Sequence, residues 1–335
     1  MTERPRDQRP RDADSARCGP SERRPARLPS AGRRRPSTVT KPLTARLLAF
    51  LLRHRARGSS RLTYSCARHL QSLQAVPIQI ADSAPLYVDL RDGLNHHLLV
   101  GDPWEAAPWE ADEQAIMRQL VLPGDTAFDI GANIGLHSVL LSKLVGADGQ
   151  LSIFEPNAEL HLTLSRTVSD LGNASLYPFA LSNRCGEAAF FLPMNHQKAS
   201  LANWTDEAID GTPRVARCSL RRLDDLVQDG VVPRPDFIKC DVEGAERLVF
   251  EGAIEVLDRP DGPIILFEAN VYNARAFGLS VADAKTLLQD LAQPRYSFFE
   301  IMPGGHLHHL ETLNPEHSNI VAVPESKTER VPERN

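Results

Sequence analysis

The chain reads as an α/β protein built on a parallel, doubly wound sheet, and three observations carry that reading. First, short apolar runs alternate with helical patterns from Ala127 to Glu268, which is the signature of strands joined by helical crossovers. Second, the run Thr126-Ala127-Phe128 leads into Asp129-Ile130-Gly131-Ala132-Asn133-Ile134-Gly135 and then a helical pattern, Leu136 to Leu144. Strand, glycine turn, helix lets a backbone approach a nucleotide-like ligand closely. Third, acids stand at the ends of later strands, in Phe154-Glu155-Pro156 and in Asp236-Phe237-Ile238-Lys239-Cys240-Asp241-Val242-Glu243-Gly244-Ala245-Glu246. Together these features indicate an enzyme that uses a nucleoside cofactor.

The strands are expected near Ala127–Ile130, Leu151–Glu155, Ser175–Phe179, Asp236–Cys240 and Ile264–Glu268. Helices are expected near Leu136–Leu144, Ala158–Leu171, Leu220–Leu226, Ala245–Leu257 and Val281–Leu291. Phe190-Phe191-Leu192 and Arg214 to Cys218 suggest a small strand pair around a polar loop, Asn195 to Gly211, of a length that is often functional. Tyr296 to Met302 and Asn319 to Val323 flank Pro303-Gly304-Gly305 and suggest a closing antiparallel pair. Ahead of the main domain, Val76–Ile80, Leu86–Leu90 and His97–Val100 suggest a β meander, followed by a helix from Glu110 to Leu120. The expected organisation is a disordered basic tail (1–42), a helix with a small β meander (43–120), the main domain (121–324) and a frayed tail (325–335).

Charge is distributed unevenly. Residues 1–60 hold 16 Lys and Arg against 5 Asp and Glu, a balance of +11, so a net charge of -5 leaves -16 for the rest. An acidic folded region is not a duplex nucleic-acid binder, and no nucleic-acid partner is expected. Residues 43–57 suit a short basic amphipathic helix with Leu47, Leu48, Phe50, Leu51 and Leu52 on its apolar side. Docking on the protein itself is the expectation, and contact with a membrane through residues 1–57 is the alternative. Five cysteines with no CxxC spacing argue against a disulfide framework and against structural zinc, and point to a reducing cytoplasm.

The glycine pattern is G-x-x-x-G rather than the G-x-G-x-x-G of pyrophosphate cofactors, and it is preceded by Asp129. A carboxylate there repels a pyrophosphate and suits the ammonium group of an amino-acid moiety, which favours S-adenosylmethionine over a nicotinamide dinucleotide. Gly131 and Gly135 frame the turn where a side chain would meet the ligand, and Asn133 orients the loop or touches the ligand. Glu155, 20 residues past Gly135, is placed to accept the ribose hydroxyls. Ala180, in Ala180-Leu181-Ser182, follows the third strand beside the expected position of the base. Phe179 reads as core rather than as a stacking partner.

Asp241 ends the fourth strand beside the crevice and is assigned both to the cofactor site and as first candidate general base. Glu243, Glu268 and His137 follow it as candidate bases. These acids form one rim, suited to substrate hydroxyls or a divalent cation. No metal is assigned, because no repeated ligand spacing marks one.

The same blocks, with Pro123-Gly124-Asp125, Ala180-Leu181-Ser182 and Glu268, resemble the FkbM family of S-adenosylmethionine-dependent methyltransferases over about Leu86 to Val323. The resemblance implies a Rossmann-like class I methyltransferase sheet of seven strands with an antiparallel last pair. It also implies S-adenosylmethionine as cofactor and methyl transfer to a hydroxyl of a sugar or other natural product, so the expected partner is a small-molecule or glycan acceptor. An NAD-dependent oxidoreductase and a non-catalytic docking module acting through residues 1–57 are the competing readings.

Overall fold

The computed structural model describes residues 40–54, 67–80, 82–100, 110–311 and 317–332. The basic tail expected over 1–42 therefore falls almost wholly outside the described residues. In the N-terminal part, helix α1 (Leu43–Arg53) precedes a two-stranded antiparallel ribbon, β1 (Val76–Ile78) and β2 (Leu86–Val88). The third strand expected at His97–Val100 is instead a short helix, α2. The Asp92 carboxylate accepts the Leu94 N–H and starts a 3-10 turn over Gly93–His96 that runs straight on into α2, so a local cap overrides strand propensity. Helix α1 rests on the protein through Ala45 and Leu48, while Leu47 and Phe50 face outward. Its apolar residues thus divide between two sides. Among the described residues no helix is long and apolar enough to cross a membrane.

The main domain follows the alternation read from the sequence. Helix α3 (Ala111–Leu120) leads to β3 (Thr126–Ile130), α4 (Leu136–Val145), β4 (Gln150–Phe154), α5 (His161–Leu171) and β5 (Ala174–Tyr177). Three strands, β6 (Ala180–Leu181), β7 (Gly186–Leu192) and β8 (Arg214–Arg221), then form a separate small sheet. The chain returns through α6 (Leu223–Gln228), β9 (Phe237–Cys240), α7 (Glu246–Glu251), α8 (Ile254–Leu257) and β10 (Ile264–Asn270). It closes with α9 (Val271–Ala276), α10 (Asp283–Gln289), β11 (Tyr296–Met302), β12 (His306–His309) and β13 (His317–Pro324).

The large sheet has the order β12-β11-β13-β10-β9-β3-β4-β5. β5, β4, β3, β9 and β10 are parallel, and β13 runs antiparallel between β10 and β11. This is the expected class I methyltransferase sheet with an eighth strand added, because the chain turns at Gly304-Gly305 and pairs β12 on β11. Both sheet faces are buried, so strand residues alternate between two apolar layers. Phe128, Ile130, Phe154, Ile265, Phe267, Ile320 and Ala322 fill one layer. Ala127, Leu151, Ile153, Ile264, Leu266, Val321 and Val323 fill the other.

Three further expectations are corrected. The single helix over Ala245–Leu257 is two helices, because the chain passes so close to Ser182 that a Cβ on Gly252 would lie 2.0 Å from the Ser182 carbonyl oxygen. Cys185 is disulfide-bonded, whereas Cys218 and Cys240 are free thiols. The C-terminal tail is not frayed over its first part: Glu325–Arg330 forms a 3-10 helix. From it the Arg330 guanidinium donates to both carboxylate oxygens of Asp125 at 2.6 and 3.1 Å. Both side chains are nearly buried. Removing one partner of such a pair leaves the other charge uncompensated. Arg330→Ala is expected to lower unfolding stability by about 3 kcal/mol, measured by urea denaturation.

Candidate active site

The strand ends that carry the motifs surround one cavity of about 320 Å³. Gly131, Ala132, Asn133, Glu155, Phe179 and Ala180 line its side over β3, β4 and β6, and Glu110, Glu113, Asp241, Glu243, Glu268 and Asn319 line the other. It opens where strand order reverses between β3 and β9, the position at which doubly wound sheets bind ligands.

The glycine turn is built by backbone crowding. Gly131 has φ +81°, and a Cβ there would lie 1.9 Å from the Asp241 carbonyl oxygen. Gly135 has φ +89°, and its Cβ would meet Leu164 at 2.8 Å. Both glycines are thus required by neighbouring protein atoms, and Gly131 alone of the two lines the cavity. Asn133 adopts a left-handed φ of 53°, a conformation Asn tolerates better than most residues. Its side-chain oxygen lacks a hydrogen-bond partner.

Asp129 departs from its expected place. It is wholly buried and lies outside the cavity lining, because strand alternation turns it into the sheet layer beneath. One of its carboxylate oxygens accepts from the Ser138 hydroxyl at 2.5 Å. Burial raises its pKa against the opposing pull of Lys239. It therefore reaches the cavity only through its neighbours.

Glu155 does line the cavity. Its two oxygens accept the backbone N–H groups of Asn133 at 2.8 Å and Asn157 at 2.7 Å. Each carboxylate oxygen has a second lone pair, so the same side chain fastens the glycine turn and retains acceptor capacity for a diol. Burial, outweighing those two N–H groups, pushes its pKa up to about 7. Phe179 is 2% exposed and belongs to the core, although its edge reaches the cavity wall.

On the opposite side stands Lys239, which the sequence reading did not single out. It pairs in register with Asp129 across β3 and β9 and is 2% exposed. Its ammonium donates to Asp241 at 3.0 Å. Burial opposes the charge, but Asp241, Asp129 and Glu113 outweigh it and hold the ammonium protonated. Asp241 is the opening in this arrangement, since its side chain is 39% exposed.

Glu243 sits in the left-handed region at φ 56°, a strained position for a residue of this kind. The Ser200 hydroxyl, from the long polar loop, donates to its carbonyl oxygen at 2.9 Å. The Asn273 amide donates to Glu268 at 3.0 Å and to Glu243 at 3.3 Å. Asp241, Glu243 and Glu268 bring oxygens within 4.8 Å of one another, a spacing that can hold a divalent cation or several hydroxyls. Burial first, then Asp241 and Glu268, raise the Glu243 pKa well above the usual range. Glu246 is a structural acid: it is buried and accepts the Val242 and Gly244 N–H groups.

His137 lines the cavity with its Nε2 3.6 Å from the Glu110 carboxylate. Burial, with Lys239 and Arg118 nearby, lowers its pKa well below the ordinary value, so it stands neutral. His196, from the polar loop, joins the lining, and burial lowers its pKa as well. Glu113 and Asn319 were not foreseen. Glu113 comes from α3 and accepts the Asn319 amide at 2.6 Å. A charge inside the apolar run Phe237-Ile238-Lys239-Cys240 was a visible signal for Lys239. Glu113 and Asn319 had no local signal.

A family model described as the methyltransferase FkbM domain matches residues 129–300. The chain belongs to the FkbM methyltransferase family. A hexuronic acid methyltransferase, AglP of Haloferax volcanii, is 29% identical over 165 residues, which cover 48% of this chain and 64% of that protein. The chain thus spans just under two thirds of the length of that relative. Solved structures similar to it include a putative rRNA-methylase from Clostridium thermocellum, at 13% identity and a TM-score of 0.38 over 64% of this chain and 94% of that one. Another is a SAM-dependent O-methyltransferase from Thermotoga maritima, at 13% identity and a TM-score of 0.37 over 81% and 97%.

The raised Glu113 pKa has a consequence for stability. Burial, opposed by Lys239 and helped by Asp241, Glu110 and Glu268, pushes it up to about 8. The folded chain keeps a proton there that the unfolded chain releases near pH 4.5, so raising pH from about 4.5 to 8 favours unfolding. Glu113→Gln is expected to flatten that decline by up to about 1.4 kcal/mol per pH unit, measured by urea titrations between pH 5 and 8.

Proposed function

We infer that this chain is an S-adenosylmethionine-dependent O-methyltransferase whose acceptor is a hydroxyl of a sugar or other natural product. The observation that carries the reading is Asp241, a half-exposed carboxylate paired with a buried ammonium at the cavity floor, opposite a glycine turn and the Glu155 carboxylate. Family membership and the hexuronic acid relative support it.

The residues present fit the cofactor. The Phe179, Ala180 and Leu181 side of the cavity is apolar and suits a purine, Glu155 offers spare lone pairs for a ribose diol, and the unpartnered Asn133 oxygen suits a donor on the ligand. When bound, S-adenosylmethionine supplies an electrophilic methyl group on a sulfonium sulfur. Asp241 takes the proton of the acceptor hydroxyl, a role worth about 10²–10⁴ in rate. Lys239 is a positioning residue, whose ammonium holds the Asp241 carboxylate at 3.0 Å at the cavity wall. Neutral His137 and the Glu268–Asn273–Glu243 network orient the acceptor, and alignment of the two reactants supplies much of the remaining acceleration.

The test combines binding and turnover. Calorimetric titration with S-adenosylhomocysteine and with NAD separates the two cofactor readings, and binding of NAD alone overturns the proposal. With an acceptor drawn from a glycan panel by S-adenosylhomocysteine release, Asp241→Asn is expected to lose about 100-fold or more in kcat. Retained turnover removes Asp241 as the base. Glu155→Ala is expected to weaken S-adenosylhomocysteine binding at least about tenfold, and unchanged affinity removes the ribose assignment.

A further inference from the structure

Helix α1 is apolar on two opposite sides, and the described residues pack on only one of them. On the inner side Ala45 and Leu48 are buried, with Ala49 and Leu52 beside them, in a cluster that includes Leu98 and Leu99 of α2. The Thr44 and Ser72 hydroxyls, 2.9 Å apart, tie the helix to the same body. On the outer side Leu43, Leu47 and Phe50 are 78, 58 and 57% exposed, and Leu51 is exposed next to them. The spacing i, i+4, i+7 sets the first three in one line along the helix. A single exposed leucine is ordinary, but a row of large apolar side chains on one helix marks a contact surface.

The charge around this row has one sign. From Thr40 to Arg57 the chain holds Lys41, Arg46, Arg53, Arg55 and Arg57 and no Asp or Glu. Arg46 and Arg53 stand exposed, and their seven-residue separation places them on the same flank of the row. Residues 1–60 carry the balance of +11 while the rest of the chain carries -16. Such a polarised molecule turns its basic end toward an anionic surface and its acidic body away from it. At 11 residues α1 is too short to cross a bilayer, whose hydrocarbon core needs about 20. It suits a helix lying in the surface plane, with its apolar row in the acyl boundary and its arginines at headgroup level.

We propose that α1 docks this protein on an anionic lipid surface, inserting Leu43, Leu47, Phe50 and Leu51 while the flanking Lys and Arg side chains pair with lipid phosphates. The apolar row favours a bilayer over a nucleic acid, whose backbone would engage the arginines and leave the row in water. Helices α1 and α2 share one apolar cluster, and His97 and Leu98 of α2 line the cavity. Docking through α1 therefore holds that side of the cavity near the lipid.

The experiment uses the full chain at neutral pH and pelleted large unilamellar vesicles of phosphatidylcholine, alone or with about 30% phosphatidylglycerol. Partitioning onto the anionic vesicles is expected to be at least about tenfold stronger, and to fall at least about fivefold between about 0.1 and 0.5 M NaCl. The double variant Leu47→Ser, Phe50→Ser is expected to keep the wild-type urea midpoint and to lose at least about tenfold in binding. Ile209→Ser, at a position 77% exposed and outside α1, is expected to change binding less than about twofold. Phe50→Trp keeps the row apolar and so tests insertion even where the serine variant loses stability. Brominated phosphatidylcholine in the anionic vesicles is expected to quench its fluorescence beyond the wild-type level. No vesicle binding, equal binding to both vesicle types, binding unchanged in the serine variant, or no added quenching overturns the proposal. Tighter binding to polyuridylate than to the vesicles overturns it in favour of a nucleic acid. A dimer in sedimentation velocity that the serine variant dissociates overturns it in favour of a second copy covering the row.

Discussion

The site depends on one buried cation. Lys239 stands on β9 beside the mostly apolar layer that holds Phe237, Leu151, Ile153 and Leu266, and an ammonium there is costly unless carboxylates surround it. Three do so, each from a different element: Asp129 from β3, Asp241 from the end of β9 and Glu113 from α3. The dependence is mutual, since Asp129 is itself wholly buried and has Lys239 as its compensating charge. The strand register that sets Asp129 opposite Lys239 therefore fixes the electrostatics of the cavity floor. Glu113 and Asp241 both line the cavity, and Asp241 is the one that takes the ammonium's hydrogen bond and is 39% exposed, which is why the proposed chemistry is assigned to it.

A second constraint is backbone crowding at the strand ends. The Gly131 turn lies against the Asp241 carbonyl, the Gly244 turn against Asn273 and the Gly252 break against Ser182. These contacts tie the first, fourth and fifth strand ends of the parallel sheet to the small β6–β8 sheet. The left-handed residues Asn133 and Glu243 sit inside the same knot. Loops in such a state have little freedom to reorganise, and a preorganised set of polar groups costs less to align with a reactant.

The two halves of the cavity have different origins. The half proposed for the cofactor is assembled from the ends of β3 and β4 in the large sheet and β6 in the small one, so its residues arrive in blocks ordered along the chain. The acceptor half draws Glu110 and Glu113 from a helix ahead of the sheet, Asn319 from the last strand and His196 from the long polar loop. Specificity can change there without disturbing the sheet, and family membership leaves the acceptor open.

Hydrophobic alternation determined the parallel core and its order of elements, because burial on both faces leaves an unmistakable pattern of short apolar runs. The sequence also placed Glu155, Asp241, Glu243 and Ala180 at the crevice, since a strand end followed by a turn is legible locally. It marked the glycines as close-approach points without showing the protein neighbour: Gly131 meets the Asp241 backbone, a contact between residues 110 apart in the chain. His97–Val100 went to helix because the Asp92 cap is a short-range effect that β-propensity does not report. The role of Lys239, the burial of Asp129 and the arrival of Glu113 and Asn319 were decided only in three dimensions. Pairing register and layer packing bring charges together across long separations, and no local spacing encodes that meeting.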